Sequence, residues 1–314
     1  MPRPSHRVGP DPGAHTLRAM SILFVVNRSS GVGRAERLTR QFARALDAAG
    51  ERYEFCDARN GAPNGQTHEQ YFRRFDVIAA VGGDGTLHHL LGHACRAGVP
   101  VYHIPAGNEN LFAREFGMDG DPQRLLRALE RARTRAVDVP SLDGRPFAIM
   151  VSFGPDAGVI HRLDEVRSRA TGHTMYLRPV LKEAFGPRLA RVSVRVDGRE
   201  VVADGRGMLV IANSPQYATN LNPAPHADIA DGMLDAVFLP ARSTASVLLW
   251  GLRCATRDQL HTRGAIAARG ERIEVLAHAP TPMQSDGEAA GWLEPGQTAS
   301  LTVRPGALRV LVAR

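Results

Sequence analysis

The chain has 314 residues, 43% of them apolar, and a net charge of +7 in which Lys182 is the only lysine. That length exceeds what one hydrophobic core usually serves and predicts two domains, while the arginine-rich surface suits anionic partners such as nucleotides, phospholipid headgroups or nucleic acid. Three scattered cysteines, Cys56, Cys95 and Cys254, argue against a disulfide framework or a cysteine zinc cluster, and no apolar run approaches the ~18–20 residues of a membrane span.

Residues 1–20 carry Pro, Arg, His and Gly without an apolar stretch, so they read as a disordered tail and not as a secretory signal. From residue 21 to 139 the pattern alternates. Ser21 to Val26 reads as a strand, Arg34 to Ala49 as an amphipathic helix closed by Gly50, and Tyr53 to Cys56 as a short strand. Gln66 to Arg74 reads as a helix, Asp76 to Val81 as a strand, Leu87 to Arg96 as a helix and Val99 to Ile104 as a strand. Asn108 to Phe116 and Pro122 to Arg133 complete the series as helices, the second started by Asp121 with proline in its first turn. Near-continuous apolar strands alternating with helices predict a doubly wound parallel sheet.

Residues 140–314 are richer in strands: Phe147 to Phe153, Arg191 to Val196, Met208 to Asn213, Leu234 to Leu239, Arg272 to Leu276, Ala299 to Val303 and Leu308 to Val312. Asp197-Gly198 is a hairpin signal. Helices are expected over Ala157 to Arg169, Met175 to Ala184 and Ser243 to Cys254. This half reads as an antiparallel, β-sandwich-like domain. The apolar face of Ser243 to Cys254 is expected to pack on that sheet, with contact to a bilayer as the alternative.

Three glycine-bearing loops follow successive strands of the first half. Gly82-Gly83-Asp84-Gly85-Thr86 is the strongest: glycines admit an anion close to the backbone, and free N–H groups at a helix start point toward it. Asn27, with Ser30 and Gly31, opens the first helix in the same way, but it completes neither a dinucleotide fingerprint nor a P-loop. Gly107 and Asn110 follow the strand ending near Ile104. Parallel strands end on one edge, so the three loops are expected to converge on a phosphate site. Asp231-Gly232 reads as a turn into a strand, with a hard-cation site as the alternative. Asp286 and Glu288 flank Gly287, and on spacing alone an exposed acidic turn competes with proton transfer or metal binding. His89 and His93 lie four apart but lack a third ligand, so a solvated face is the simpler reading.

Taken in order, these residues resemble the diacylglycerol kinase catalytic-domain family, bacterial lipid kinases related to sphingosine kinases and distantly to NAD kinases. The resemblance is carried by Asn27 with Ser30-Gly31, Gly82 to Thr86, Pro105, Gly107, Asn110, Ala113-Arg114, Val137-Asp138-Val139, Phe153-Gly154 with Asp156, Asn213, Pro225 with Ala227, Asp231 to Asp235 and Asp286-Gly287-Glu288. It implies a nucleotide-binding α/β domain, a β-rich lipid-binding domain whose last strands pack back on the first, and an active site in the cleft between them. It also implies ATP held by Asn27, Ser30, Gly31, Gly82, Gly83, Gly85, Thr86, Gly107 and Asn110, with Glu288 near the nucleotide and Mg²⁺. Asp286 matches the usual general base, Asp84 and Asp138 a magnesium-linked acidic network, and Asp231 a structural metal site. Asn108 and Leu111 stand where the family pattern carries Thr and Asp, which weakens that network.

The function expected from this resemblance is ATP-dependent phosphorylation of a lipid hydroxyl by a cytoplasmic protein in peripheral contact with a membrane. No nucleic-acid partner is expected, and an open strand edge leaves room for a homodimer. A kinase of a soluble acceptor such as NAD and a non-catalytic nucleotide or lipid sensor are the alternatives.

Overall fold

The computed structural model describes residues 20–60, 62–167 and 186–313. The predicted helix over Met175 to Ala184 and, apart from Met20, the predicted tail lie outside the described residues.

The first half builds a six-stranded sheet from β1 (Ser21–Val26), β2 (Arg52–Asp57), β3 (Val77–Gly82), β4 (Val101–Pro105), β5 (Thr134–Val137) and β17 (Leu308–Leu311), in the order β2-β1-β3-β4-β17-β5. All neighbours are parallel except β17 and β5. Its helices are α1 (Arg34–Ala49), α2 (His68–Phe72), α3 (Asp84–Ala97), α4 (Leu111–Glu115) and α5 (Pro122–Arg131). β3, Val-Ile-Ala-Ala-Val-Gly, is buried along its whole length, as expected of a central parallel strand covered on both faces. α1 buries Ala35, Leu38, Phe42 and Leu46, one stripe at helical spacing, and ends where Gly50 adopts φ +73°.

The second half is an eleven-stranded antiparallel sheet that curls on itself. Its main path runs β15-β14-β8-β10-β9-β13-β16-β6-β7, with β11 added to β10 and β12 to β11. The strands are β6 (Ser141–Leu142), β7 (Arg145–Pro146), β8 (Met150–Phe153), β9 (Ala190–Val196), β10 (Arg199–Ala212), β11 (Leu234–Pro240), β12 (Ile266–Gly270), β13 (Arg272–Ala277), β14 (Thr281–Ser285), β15 (Glu288–Leu293) and β16 (Thr298–Thr302). α6 (Pro155–Arg167) packs on β14, and α7 (Thr244–Thr256) follows β11.

Strand alternation divides two cores. Leu209 and Ile211 of β10 point into the curl with Val151, Phe153, Val194, Val275 and Leu301. Val210 and Ala212 point the other way, into a core continuous with that of the first sheet. Each residue step flips the face, so one strand serves both layers. Asp197-Gly198, both at positive φ, makes the predicted two-residue hairpin between β9 and β10.

Two local expectations change. α3 begins at Asp84, not Leu87, because Gly83 is already its N-cap. The apolar face of α7 does not pack fully on the sheet: Trp250 and Cys254 are buried, but Leu248, Leu249 and Leu252 are 62%, 48% and 63% exposed.

Candidate active site

The three glycine loops meet at the carboxyl ends of β1, β3 and β4. Asn27 Nδ2 donates to Thr86 Oγ1 at 3.1 Å, joining the first loop to the start of α3. Gly31, at φ +64°, packs against the carbonyl of Ala106, and a Cβ there would collide with that oxygen. A Cβ on Gly107 would stand 2.6 Å from Cα of Gly83. The second and third loops therefore lie backbone against backbone, which only glycine allows. Asn110 holds the third loop: its Oδ1 accepts the N–H of Gly107 at 2.9 Å and its Nδ2 donates to Gly107 O at 2.8 Å. Ser30 N donates to Asn27 O at 3.0 Å, forming the first turn. Side-chain-free backbone facing a helix start is a cradle suited to a polyphosphate. Thr86 does not cap α3; buried in its first turn, it anchors Asn27.

Asp84 opens α3 and is half-buried, its Oδ1 accepting the N–H of Phe112 at 3.3 Å. Its carboxyl is pushed up to about 6, chiefly by burial and further by the charge of Asp286, with the N–H groups at the start of α4 opposing. Leu111, where the family pattern carries Asp, is buried in the core, so those N–H groups face Asp84 in place of a second carboxylate.

The opposite wall is the tight turn between β14 and β15. Asp286 (φ +50°) and Gly287 (φ +83°) make a two-residue hairpin, closed by Ser285 and Glu288. The turn is not the exposed acidic loop its spacing suggests, since Asp286 is only 6% exposed. Its Oδ1 accepts the N–H groups of Ile149 (2.8 Å) and Met150 (3.1 Å), and its Oδ2 accepts that of Ala148 (2.7 Å). Oδ2 also lies 3.0 Å from Nδ1 of His88, on α3. Glu288 reaches over the first turn of α3, where a Cβ on Gly85 would collide with its Oε1. Asp84, Gly85, His88, Asp286 and Glu288 therefore line one cleft between the two halves. His88 escaped the sequence reading. The signal was its place one helical turn after Asp84, visible only once α3 is known to start there.

Asp138 and Asp231 do not join this group. Asp138, 3% exposed, sits between β5 and β6 with Oδ1 accepting the N–H of Gly306 (2.8 Å) and Oδ2 that of Gly232 (2.6 Å). Each oxygen accepts one backbone N–H, so the carboxylate latches the β5–β6 junction to Gly232 and Gly306. Asp231 pairs with the guanidinium of Arg269, which also reaches Asp235, and its Oδ1 accepts Met233 N–H at 3.0 Å. The Arg269 guanidinium balances the charge of Asp231 at the turn that leads into β11. Among the described residues no group of three or more His, Cys, Asp or Glu forms a metal cluster. His89 is exposed and His93 pairs with Glu69 at 2.8 Å, the solvated face expected of that pair. Asp84 and Glu288 do fit a hard cation that is shared with a triphosphate, since such ions take few protein oxygens and complete their shell with phosphate and water.

Residues 21–142 match the diacylglycerol kinase catalytic domain, and residues 149–312 match the YegS C-terminal NAD kinase beta sandwich-like domain. The chain belongs to the diacylglycerol kinase catalytic-domain family. It is 30% identical to a probable YegS-like lipid kinase of Pseudomonas fluorescens over 74% of this chain and 76% of that protein. It is 23% identical to a diacylglycerol kinase of Bacillus subtilis, over 88% and 92% of the two chains. An uncharacterized Synechocystis protein is 21% identical over 68% of this chain, which spans only half of that protein's length. Among solved structures, a diacylglycerol kinase from Bacillus anthracis superposes with a TM-score of 0.64 at 14% identity, covering 93% of this chain and 97% of that one. Yeast NADH kinase complexed with NADH gives 0.53 at 10% identity, covering 93% and 82%. These two likenesses show the fold, a parallel-sheet unit followed by an antiparallel curled sheet. No helix among the described residues is long and apolar enough to cross a membrane.

Proposed function

We propose that this chain is an ATP-dependent lipid kinase that transfers the γ-phosphoryl group to the hydroxyl of a diacylglycerol-like or sphingoid-like lipid. The observation that carries this reading is the cleft itself. A phosphate cradle of Gly82, Gly83 and Gly107 faces a wall bearing Asp286 and Glu288, close enough that Gly85 has no room for a side chain beside Glu288. Phosphoryl transfer asks for positioning and charge neutralisation more than covalent help, and oriented N–H groups with a few carboxylates supply both. Mg²⁺ held by Asp84 and Glu288 would neutralise the triphosphate oxygens. Asp286 is the carboxylate around which the acceptor's proton is handled.

The lipid reading draws on the relatives and on α7. Its exposed Leu248, Leu249 and Leu252 are flanked by exposed Arg242 and Arg257, an apolar stripe with basic edges that suits an anionic bilayer. The fold likeness to a yeast NADH kinase keeps a soluble dinucleotide acceptor as the second reading. The deciding assay uses γ-labelled ATP and Mg²⁺ with phosphatidylcholine vesicles carrying diacylglycerol, sphingosine or phosphatidylglycerol, and separately with NAD. Label in a lipid product supports the proposal. Label only in NADP, or in nothing despite tight ATP binding, refutes it and favours the dinucleotide kinase or the sensor.

A further inference from the structure

We propose that His103 is a positioning residue for the phosphate cradle, fixing the peptide that joins Gly82 to Gly83; this rests on the nucleotide use in the kinase reading above. His103 lies on β4, is fully buried, and its ring centre stands 6.3 Å from that of Phe112. Its Nε2 lies 3.1 Å from the carbonyl oxygen of Gly82, the last residue of β3. A carbonyl oxygen only accepts, so Nε2 carries the hydrogen and Nδ1 keeps a bare lone pair. No donor among the described residues meets that lone pair. Burial pushes the ring's pKa down to about 4, which keeps it neutral.

A buried polar atom without a partner carries a cost that an apolar side chain of similar size avoids. What the ring supplies in return lies at Gly82. Its oxygen accepts two hydrogens, from Ala106 N–H at 2.8 Å and from His103. The peptide between two glycines is the one most free to pivot, because neither side carries a Cβ. Two donors on one oxygen remove that freedom.

The peptide is planar and trans, so its C=O and N–H point opposite ways. With the oxygen held toward β4, the N–H of Gly83 is turned toward β1, on the other flank of β3, where the Asn27 to Gly31 loop begins. The N–H of Gly107 is taken by Asn110, whereas that of Gly83 has no acceptor among the described residues. Gly83 therefore offers an open donor to a phosphate oxygen, and His103 sets its direction before the nucleotide arrives. A donor aimed in advance spends none of its interaction on being ordered.

The test compares wild type with His103→Leu, His103→Asn and His103→Gln. Glutamine places an amide N–H near the position of Nε2, while asparagine, one methylene shorter, does not reach the Gly82 oxygen. ATP affinity is measured by calorimetry with Mg²⁺. KM for ATP and kcat are measured on whichever vesicle lipid among diacylglycerol, sphingosine and phosphatidylglycerol the wild type phosphorylates fastest. His103→Leu and His103→Asn should lose about tenfold or more in ATP affinity and in kcat/KM for ATP, and His103→Gln should stay within about threefold of wild type. The urea midpoint of His103→Leu should equal or exceed that of wild type, since Gly82 keeps the N–H of Ala106 and the unpartnered Nδ1 is gone. Leucine and asparagine variants that bind ATP within about threefold of wild type overturn the proposal and leave the kinase reading intact. So does a loss of affinity that glutamine does not restore and that runs parallel to a fall in the urea midpoint, the mark of a purely structural ring. A wild type that phosphorylates no lipid sinks the acceptor assignment alone, since calorimetry still decides His103; one that binds no ATP removes both.

Discussion

Replacing Asp138 by alanine tests whether this carboxylate is a latch or a metal ligand. Its two oxygens each accept one backbone N–H, from Gly232 at 2.6 Å and from Gly306 at 2.8 Å, inside a site 3% exposed. Its own backbone is tied in as well, donating N–H to Ile229 O at 2.8 Å and accepting from Asn213 Nδ2 at 3.2 Å. Truncation leaves those backbone ties but strands two donors. Gly306 is exposed and Gly232 half-buried, so water can reach the freed donors, and at about 0.5–1.5 kcal/mol for each lost hydrogen bond the expected loss is about 1–3 kcal/mol. The assay is urea denaturation followed by tryptophan fluorescence and by circular dichroism, in EDTA and again in excess Mg²⁺. The expected result is a lowered midpoint by the same amount in both buffers. Asp138→Asn, which keeps one acceptor, should fall between wild type and alanine. A loss under about 1 kcal/mol in EDTA, with a wild-type stability that rises on adding Mg²⁺ and an alanine variant that does not respond, would refute the latch and restore the metal reading.

Three further outcomes follow from the same geometry. Because the folded-state pKa of Asp84 is raised to about 6, the folded protein binds this proton more tightly than the unfolded chain, so its contribution to stability declines as pH rises from ~4 to ~6. Asp84→Asn should remove that decline and gain on the order of 1–3 kcal/mol at pH 7 in EDTA, read from urea midpoints across the window; a variant less stable than wild type at pH 7 would contradict it. Gly107→Ala, whose Cβ would sit 2.6 Å from Cα of Gly83, should weaken ATP binding by at least about tenfold, measured by calorimetry, with little change in vesicle binding. Leu248→Glu with Leu252→Glu should reduce co-sedimentation with phosphatidylglycerol vesicles by about tenfold or more while turnover of a detergent-dispersed acceptor is retained. Equal sedimentation would remove α7 from the membrane contact.

Elements with strong local patterns were legible from the sequence. The strand Ser21–Val26 and the helix Arg34–Ala49 fall where apolar spacing and the closing glycine place them. Other strands owe their existence to neighbours. β14, Thr-Pro-Met-Gln-Ser, carries no alternating apolar signal and contains a proline, yet it is wholly buried because β8 and β15 pair on either side. β12, Ile-Ala-Ala-Arg-Gly, is similarly plain and is held by β11. At the site, the glycine loops announced themselves, since their spacing after strands is local information. The surroundings of Asp286 did not. Its three N–H donors come from Ala148, Ile149 and Met150, more than 130 residues away, and N–H groups leave no mark on residue type. Asp138 shows the same limit. Only the family resemblance drew attention to it, and the partners that folding supplied to its two oxygens, backbone amides at Gly232 and Gly306, left no mark in the sequence.

The place of Leu308–Leu311 carries a consequence for how the molecule is made. This strand is inserted between β4 and β5 in the first sheet, after the chain has completed the whole curled sheet. A ribosome delivers it only after the curled sheet, so β5 emerges early and waits, without its hydrogen-bonding neighbour, while residues 138–307 are made. The parallel-sheet half cannot finish as an autonomous nascent unit, and cutting the gene between the halves would leave an open seam beside β4 where aggregation begins.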